Sequence, residues 1–323
     1  MRFPAELSRD HCCSERQARQ LMVWHWGGPR PPVRKALLDA AGPPSRPEVV
    51  RRVPDADGGL RLLFRLHDGA VVEAVRIPLR KPGCFTVCLS SQVGCAMGCG
   101  FCATGLLGLS RNLDAGEICG TFLAVRDGLE EGQRITGAVF MGQGEPFHNY
   151  DQVLRAARLL SHPNGGRIAA KSISISTVGL VPQIHRFASE GHKFRLVVSM
   201  TSAVAERRKE LLPVAGRWSL EELAEAIQAV HRSQRRRITV AWVLLGGVNH
   251  DQGEIEGLKR LLGDVPIRLN LIDVNGDQGF RRATDAERND FLDRLGELKV
   301  PVVRRYSVGS ESNSACGMLT ACS

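Results

Sequence analysis

Two rhythms of apolar and polar positions run along the chain. From residue 14 to residue 41 the period is helical. Ser14–Trp24 and Val33–Ala41 carry apolar positions three or four apart, separated by the breaker GGPRPP. A hairpin pattern follows, with RLLFRL and AVVEAVRI flanking the turn signal His67-Asp68-Gly69. The Pro/Gly-rich stretch PLRKPG then reads as a link over residues 78–83.

Beyond that link, strand and helix patterns alternate. The strands are expected at Thr86–Leu89, Ile135–Met141, Ser172–Thr177, Arg195–Met200, Ile238–Leu245, Ile267–Asp273 and Val302–Tyr306. Helical stretches between them include Ala115–Arg126, Tyr150–Leu160, Leu220–Arg232 and Glu254–Leu262. This order predicts an α/β fold with a parallel sheet and helical crossovers. A closed or partly closed barrel and an open doubly wound sheet both satisfy it. In either, functional side chains gather at the C-terminal ends of the strands. The expected division is a small accessory domain of helices and hairpin over residues 1–80 and a core domain over 81–323.

Composition narrows the partners. The formal net charge is +9, which favours a polyanion such as RNA. Local basic clusters occur at Arg207–Lys209 and Arg235–Arg237, with a looser pair at Arg16 and Arg19. A solvated face is the expectation for any one cluster taken alone. The most apolar run, Val240–Val248, is too short to span a bilayer, and the N-terminus carries no export pattern. A cytoplasmic protein is expected. Ten cysteines in a reducing compartment then argue for metal or redox chemistry and against a disulfide framework.

Three of those cysteines crowd into SSQVGCAMGCGFCATG, as Cys95-x3-Cys99-x2-Cys102. Thiolates suit iron–sulfur clusters or zinc, and the intervening glycines let backbone wrap an inorganic core. Three ligands with no fourth nearby favour a cluster that keeps one iron open. A zinc site completed by a distant ligand and a Cys-x-x-Cys redox pair are the competing readings. None of the nine histidines has a ligand partner at useful spacing.

The triad, followed by a strand ending in MGQGEP, resembles the radical S-adenosylmethionine (radical SAM) superfamily. VCLSSQVGCAMGCGFCATG, MGQGEP, SISTVGLVP, RLVVSMTSA, LNLIDVNG and NSACGML also occur in the order of the RlmN/Cfr-type RNA methyltransferases. The resemblance runs from VVEAVRIP to the C-terminus. It implies a partial (β/α) barrel and methylation of an adenine carbon in ribosomal RNA, with transfer RNA for some members. By it, Cys95, Cys99 and Cys102 bind a [4Fe–4S] cluster whose open iron is chelated by SAM. Electron transfer from a donor such as flavodoxin then cleaves SAM to a 5′-deoxyadenosyl radical. Gly144, Glu145, Ser176, Ser199, Met200, Thr201 and Asn275 become SAM contacts.

The same resemblance makes Cys316 a methyl carrier and Cys88 its resolving partner through a transient disulfide. Glu73 becomes the acceptor of the substrate proton, although a lone strand glutamate is ordinarily solvated. Cys84, close to Cys88 in sequence, is a candidate competitor for the disulfide. Three residues depart from the family pattern: Thr201 for histidine, Asp273 for proline, and Val308 for arginine. They put the substrate in question. The same architecture acting on another substrate, and a non-catalytic cluster-binding RNA protein, remain open alternatives.

Overall fold

The computed structural model describes residues 1–275 and 279–305. Cys316, Val308 and the end of the expected last strand lie outside them. The described strands are β1 (Glu48–Pro54), β2 (Leu60–Arg65), β3 (Val71–Pro78), β4 (Cys84–Leu89), β5 (Gln92–Gly94), β6 (Leu109–Asn112), β7 (Arg134–Phe140), β8 (Ile173–Thr177), β9 (Arg195–Ser199), β10 (Ile238–Leu244), β11 (Ile267–Asp273) and β12 (Val302–Arg305). Ten of them form one sheet in the order β1-β2-β3-β4-β7-β8-β9-β10-β11-β12, while β5 and β6 pair separately. Pairing is antiparallel from β1 to β4 and parallel from β4 to β12. The parallel part needs crossovers, and the helices supply them.

These are α1 (Pro4–Asp10), α2 (Glu15–His25), α3 (Lys35–Ala41), α4 (Ala103–Leu106), α5 (Ala115–Asp127), α6 (Tyr150–Ser161), α7 (Val181–Ser189), α8 (Ala205–Leu211), α9 (Leu220–Gln234), α10 (Gln252–Leu262) and α11 (Asp285–Leu295). Reciprocal capping boxes start several of them, pairing Ser14 with Gln17, Asp114 with Glu117, Ser219 with Glu222 and Thr284 with Glu287. Each box satisfies backbone donors that the first turn leaves open. In α6, Val153, Leu154, Ala157 and Leu160 recur at helical spacing and are buried against the sheet.

Strand alternation separates two faces. Val72, Ala74, Val87, Ala138, Phe140, Ile175, Val240, Trp242 and Leu271 belong to the large core beneath the helices. On the other face Met141, just past β7, packs with Val197 of β9, Ala241 of β10 and Ile272 of β11. In a flat sheet β7 and β11 would be separated by four strand spacings of about 4.8 Å. Their contact through one side chain means the sheet curls around this inner face. Among the described residues β1 and β12 remain its unjoined outer strands. The architecture is therefore mixed α/β, an open, curled sheet.

Two expectations change. The Pro78–Gly83 segment is a tight turn inside the sheet, with Leu79 N–H donating to Cys84 C=O at 2.9 Å and Cys84 N–H to Lys81 C=O at 3.1 Å. The sheet runs through residue 80 without a break in strand pairing. The helices α1–α3 contribute Leu7, Leu21, Met22 and Leu38 to the same core as α5 and α6. Cys84 and Cys88 lie too far apart along β4 to bond to each other. Four residues along one extended strand span about 13 Å, far beyond disulfide reach.

Candidate active site

The β5–β6 ribbon closes the base of the cysteine loop. Gly94 adopts φ +76°, and a Cβ there would lie 2.0 Å from the Gly108 carbonyl oxygen. Cys95 N–H instead donates to that oxygen at 2.8 Å. Beyond this neck, Gly98 also takes a left-handed φ of +63°. Gly100 N–H donates to Leu211 C=O at 3.1 Å, fastening the loop to the end of α8.

Cys95 and Cys99 are buried and Cys102 is half-buried. Burial pushes the Cys95 thiol up to about 11, with the charges of Glu145 and Cys102 adding to the effect. Cys99 is raised further, first by burial and then by Cys102 and Cys95. Two buried thiols of this kind with Cys102 beside them are a donor set suited to a bound cation, which reverses the penalty. Among the described residues no three such side chains converge on one point. In a multi-iron cluster each thiolate holds its own iron. The loop thus fits an iron–sulfur cluster by donor chemistry and backbone freedom.

Cys99 and Cys102 also line a pocket at the C-terminal ends of β7, β8, β9, β10 and β11, together with Gly144, Glu145, Ser176, Ser199 and Asn275. Glu145 is 2% exposed. Its carboxylate accepts from Phe147 N–H and Val178 N–H, both at 2.9 Å. Burial nevertheless raises it to about 7, with those amides pulling the other way. A carboxylate so placed gains from a cation in the pocket, such as the ammonium of SAM. Gly144 lets Gln92 pack against this turn: at φ +97°, a Cβ would stand 2.5 Å from Gln92 Cβ.

Met200 and Thr201 do not line the pocket. Alternation turns Ser199 inward and Met200 into the core beneath the helices, where it is fully buried. Thr201 is also fully buried, at φ 60°, and its hydroxyl has no hydrogen-bond partner. A β-branched residue in that region is a backbone outlier. Asn249 holds it there, donating to Thr201 C=O at 2.6 Å and Val243 C=O at 2.8 Å.

Cys88 and Glu73 share the inner face. Val75 of β3 pairs directly with Cys88 of β4, and both pack with Val139 and Met141. Met141 is also a wall of the pocket, so Cys88 is one side chain removed from it. Glu73 is two residues from Val75 and points the same way. It is fully buried, and Arg61 grips it through Nε–Oε2 at 2.7 Å and Nη2–Oε1 at 2.8 Å. Glu73 thus escapes the ordinary fate of a lone strand glutamate and is half of a buried ion pair.

Other contributors escape sequence reasoning. Gln92 is buried and bridges the two halves of the site. Its Oε1 accepts from Glu145 N–H at 2.8 Å, and its Nε2 donates to Asn112 Oδ1 at 2.7 Å. Ser90 accepts from Gln143 N–H at 3.0 Å and donates to Glu73 C=O at 2.7 Å. The Arg207–Lys209 cluster is not one solvated face. Arg207 pairs with Asp251 and Glu254, Lys209 is exposed, and Arg208 is 3% exposed. Successive helical residues point about 100° apart, so a run of three cannot share one face.

A thiol loop beside a polar pocket at the parallel strand ends, in a curled α/β sheet, defines an enzyme of the radical SAM class. The family model described as "Radical SAM superfamily" matches residues 89–258. A crystal structure of a radical SAM methyltransferase from Sphaerobacter thermophilus superposes with a TM-score of 0.89 at 36% identity, covering 98% of this chain and 96% of that one. A protein named "Probable RNA methyltransferase" from Anaeromyxobacter sp. (strain Fw109-5) is 51% identical over 90% of this chain and 87% of its own. The "Dual-specificity RNA methyltransferase RlmN" of Sorangium cellulosum (strain So ce56) is 36% identical over 84% of this chain and 79% of its own. The chain belongs to the radical SAM superfamily and, within it, to the RlmN-type methyltransferase family; it is a SAM-dependent methyltransferase. No helix among the described residues is long and apolar enough to cross a membrane.

Proposed function

We propose that this protein methylates RNA at an adenine carbon of ribosomal RNA, with transfer RNA as the alternative acceptor. The observation that carries the reading is the position of Cys88. It lies outside the cluster loop, yet touches Met141, a wall of the pocket that Cys99, Cys102 and Glu145 line. A buried sulfur there has no part in holding a cluster and is placed to act on whatever the pocket activates.

Cys95, Cys99 and Cys102 would hold a [4Fe–4S] cluster. Glu145 would accept from the SAM ammonium, with Gly144, Ser176, Ser199 and Asn275 around the rest of the molecule. Met200 and Thr201 would support that wall from behind through their backbone. When bound, the cluster and SAM supply one-electron chemistry that activates a methyl group, with the electron delivered by a small donor protein such as flavodoxin.

The protein's own residues do the rest. Cys316 would receive a methyl group, give up one hydrogen atom from it to the radical fragment of a second SAM, and join that carbon to the base, the adduct's unpaired electron returning to the cluster. Glu73 accepts the proton that the base carbon loses, and Arg61 orients the carboxylate through its two hydrogen bonds. Cys88 attacks the sulfur of Cys316. The carbon–sulfur bond to the base breaks with its electron pair on the carbon, that carbon takes up a proton to complete the methyl group, and a Cys88–Cys316 disulfide forms for later reduction. The net charge of +9 suits a polyanionic substrate.

Incubation of reconstituted enzyme with total RNA and isotopically labelled SAM tests the reading. Label is expected in a methyladenosine from ribosomal RNA, and a one-carbon modification on Cys316 by mass spectrometry. A Cys88→Ala variant should retain RNA covalently. Label in transfer RNA alone reassigns the substrate, and no label in any adenosine overturns the reading.

A further inference from the structure

Among the described residues three arginines are buried to 4% exposure or less: Arg61, Arg208 and Arg288. Arg61 has Glu73, and Arg288 has Asp273 and Asp285. Arg208 has no such partner. Its guanidinium donates to two main-chain carbonyls, from Nη2 to Val178 at 2.6 Å and from Nε to Met200 at 3.2 Å. Among the described residues, the ionisable neighbour whose charge would act on it is Cys99.

A buried cation without a counter-charge is unfavourable by several kcal/mol, even after local relaxation. Carbonyl dipoles offset part of that. The remainder calls for an anion, and the surroundings indicate which. Arg208 lies on α8, whose end is hydrogen-bonded to the cysteine loop through Leu211 and Gly100. The next residue after α8 and Leu212, Pro213, faces Gly98 of that loop. The protein has enclosed a fixed positive charge against the floor of its thiol site.

We infer that Arg208 is the built-in counter-ion of the iron–sulfur cluster and tunes its reduction potential. This rests on the cluster reading above. With three thiolate ligands the cluster is anionic in both redox states, and one-electron reduction by the donor protein adds one further negative charge. A guanidinium fixed in a low-dielectric site favours the more negative state. Arg208 thereby eases the uptake of the electron on which SAM cleavage depends. It is a positioning and electrostatic residue, outside the set that touches substrate.

A purely structural role makes a different prediction, because the same side chain ties the ends of β8 and β9. The test compares Arg208→Gln, which removes charge but retains an amide donor, with Arg208→Lys, which retains charge but loses the forked geometry. Each full-length protein is reconstituted anaerobically with iron and sulfide, and its midpoint potential is measured by redox titration followed by electron paramagnetic resonance. Arg208→Gln should be at least tenfold harder to reduce, a downward shift of about 59 mV for one electron. Arg208→Lys should stay within about threefold of the parent. Equal potentials in parent and Gln variant overturn the inference, as does a Lys variant that falls as far as Gln.

If the substitutions affect cluster retention instead, iron content decides. Loss in Gln with retention in Lys supports the charge, and loss in both shows a structural clamp only. A parent that binds no iron and sulfide refutes the cluster reading itself, and the counter-ion with it.

Discussion

Arg61 and Glu73 meet across β2 and β3 through two hydrogen bonds of 2.7 and 2.8 Å, with side chains only 5% and 0% exposed. Removing one partner takes from the other two buried hydrogen bonds and the opposite charge they carry. Arg61→Met or Glu73→Leu should each destabilise the fold by about 3–5 kcal/mol. The double variant should recover most of the loss, because an apolar pair of similar volume often replaces a buried ion pair without penalty. Urea denaturation of the four proteins measures this, and additive losses would contradict it.

The cysteine loop depends on its neck. Gly94→Ala places a Cβ 2.0 Å from the Gly108 carbonyl, whereas a Cβ on Gly108, at φ +71°, meets nothing within 4 Å. Gly94→Ala should therefore reduce iron retention by about tenfold, since the backbone must move apart to admit the methyl. Gly108→Ala carries only conformational strain, about 1 kcal/mol. Iron content per chain after identical reconstitution should separate the two.

Glu145 links SAM binding to pH. Its carboxyl is raised to about 7 from an ordinary 4.5, chiefly by burial. An ammonium binds the ionised form, so affinity for SAM should fall about tenfold per pH unit below 7 and level off above it. Glu145→Gln should be weaker throughout and lose that pH dependence. The sign for folding is opposite. The folded state holds this proton more tightly than the unfolded chain between pH 4.5 and 7. Without SAM, this group's contribution to stability declines as pH rises through that window. Calorimetric binding and thermal melts across pH 5–8 test the two halves.

Asp273, where the family usually has proline, is 3% exposed and collects Arg288 at 3.2 Å, Arg304 at 3.3 Å and Arg282 at 3.6 Å. Proline has no side chain that can do this. Asp273→Ala should destabilise the fold by about 3 kcal/mol or more, because Arg288 then keeps only the exposed Asp285. A two-state denaturation curve unchanged from the parent would refute it.

Much of the sheet is legible in the chain because central parallel strands are apolar on both faces. Ile238–Leu244 and Ile267–Asp273 read as strands almost to the residue. Glu48–Pro54 does not, since β1 is an outer strand with exposed arginines and a bulge between Val49 and Arg51. The thiol loop and the Glu145 turn are also legible, being short motifs whose glycines have one purpose. Glu73 is not, because its partner lies twelve residues away and meets it only once the hairpin register is set. Arg208 is hidden for a different reason: its sequence neighbours are basic, and helix rotation alone decides which one turns inward. The distinction between Ser199 and Met200 needs the strand's phase relative to the pocket, which two adjacent residues in a motif do not disclose.

The unjoined outer strands bear on how a long substrate is handled. A ring of strands would be a hole, and a polymer could offer it only a free end or a loop small enough to pass the rim. A sheet that curls without closing is a cleft. An interior unit of a folded chain of any length can be brought to it sideways, and can leave without being unthreaded. For the RNA substrate proposed above, turnover would then require only that one nucleotide reach the pocket, while the two flanking stretches of the polymer stay outside the protein.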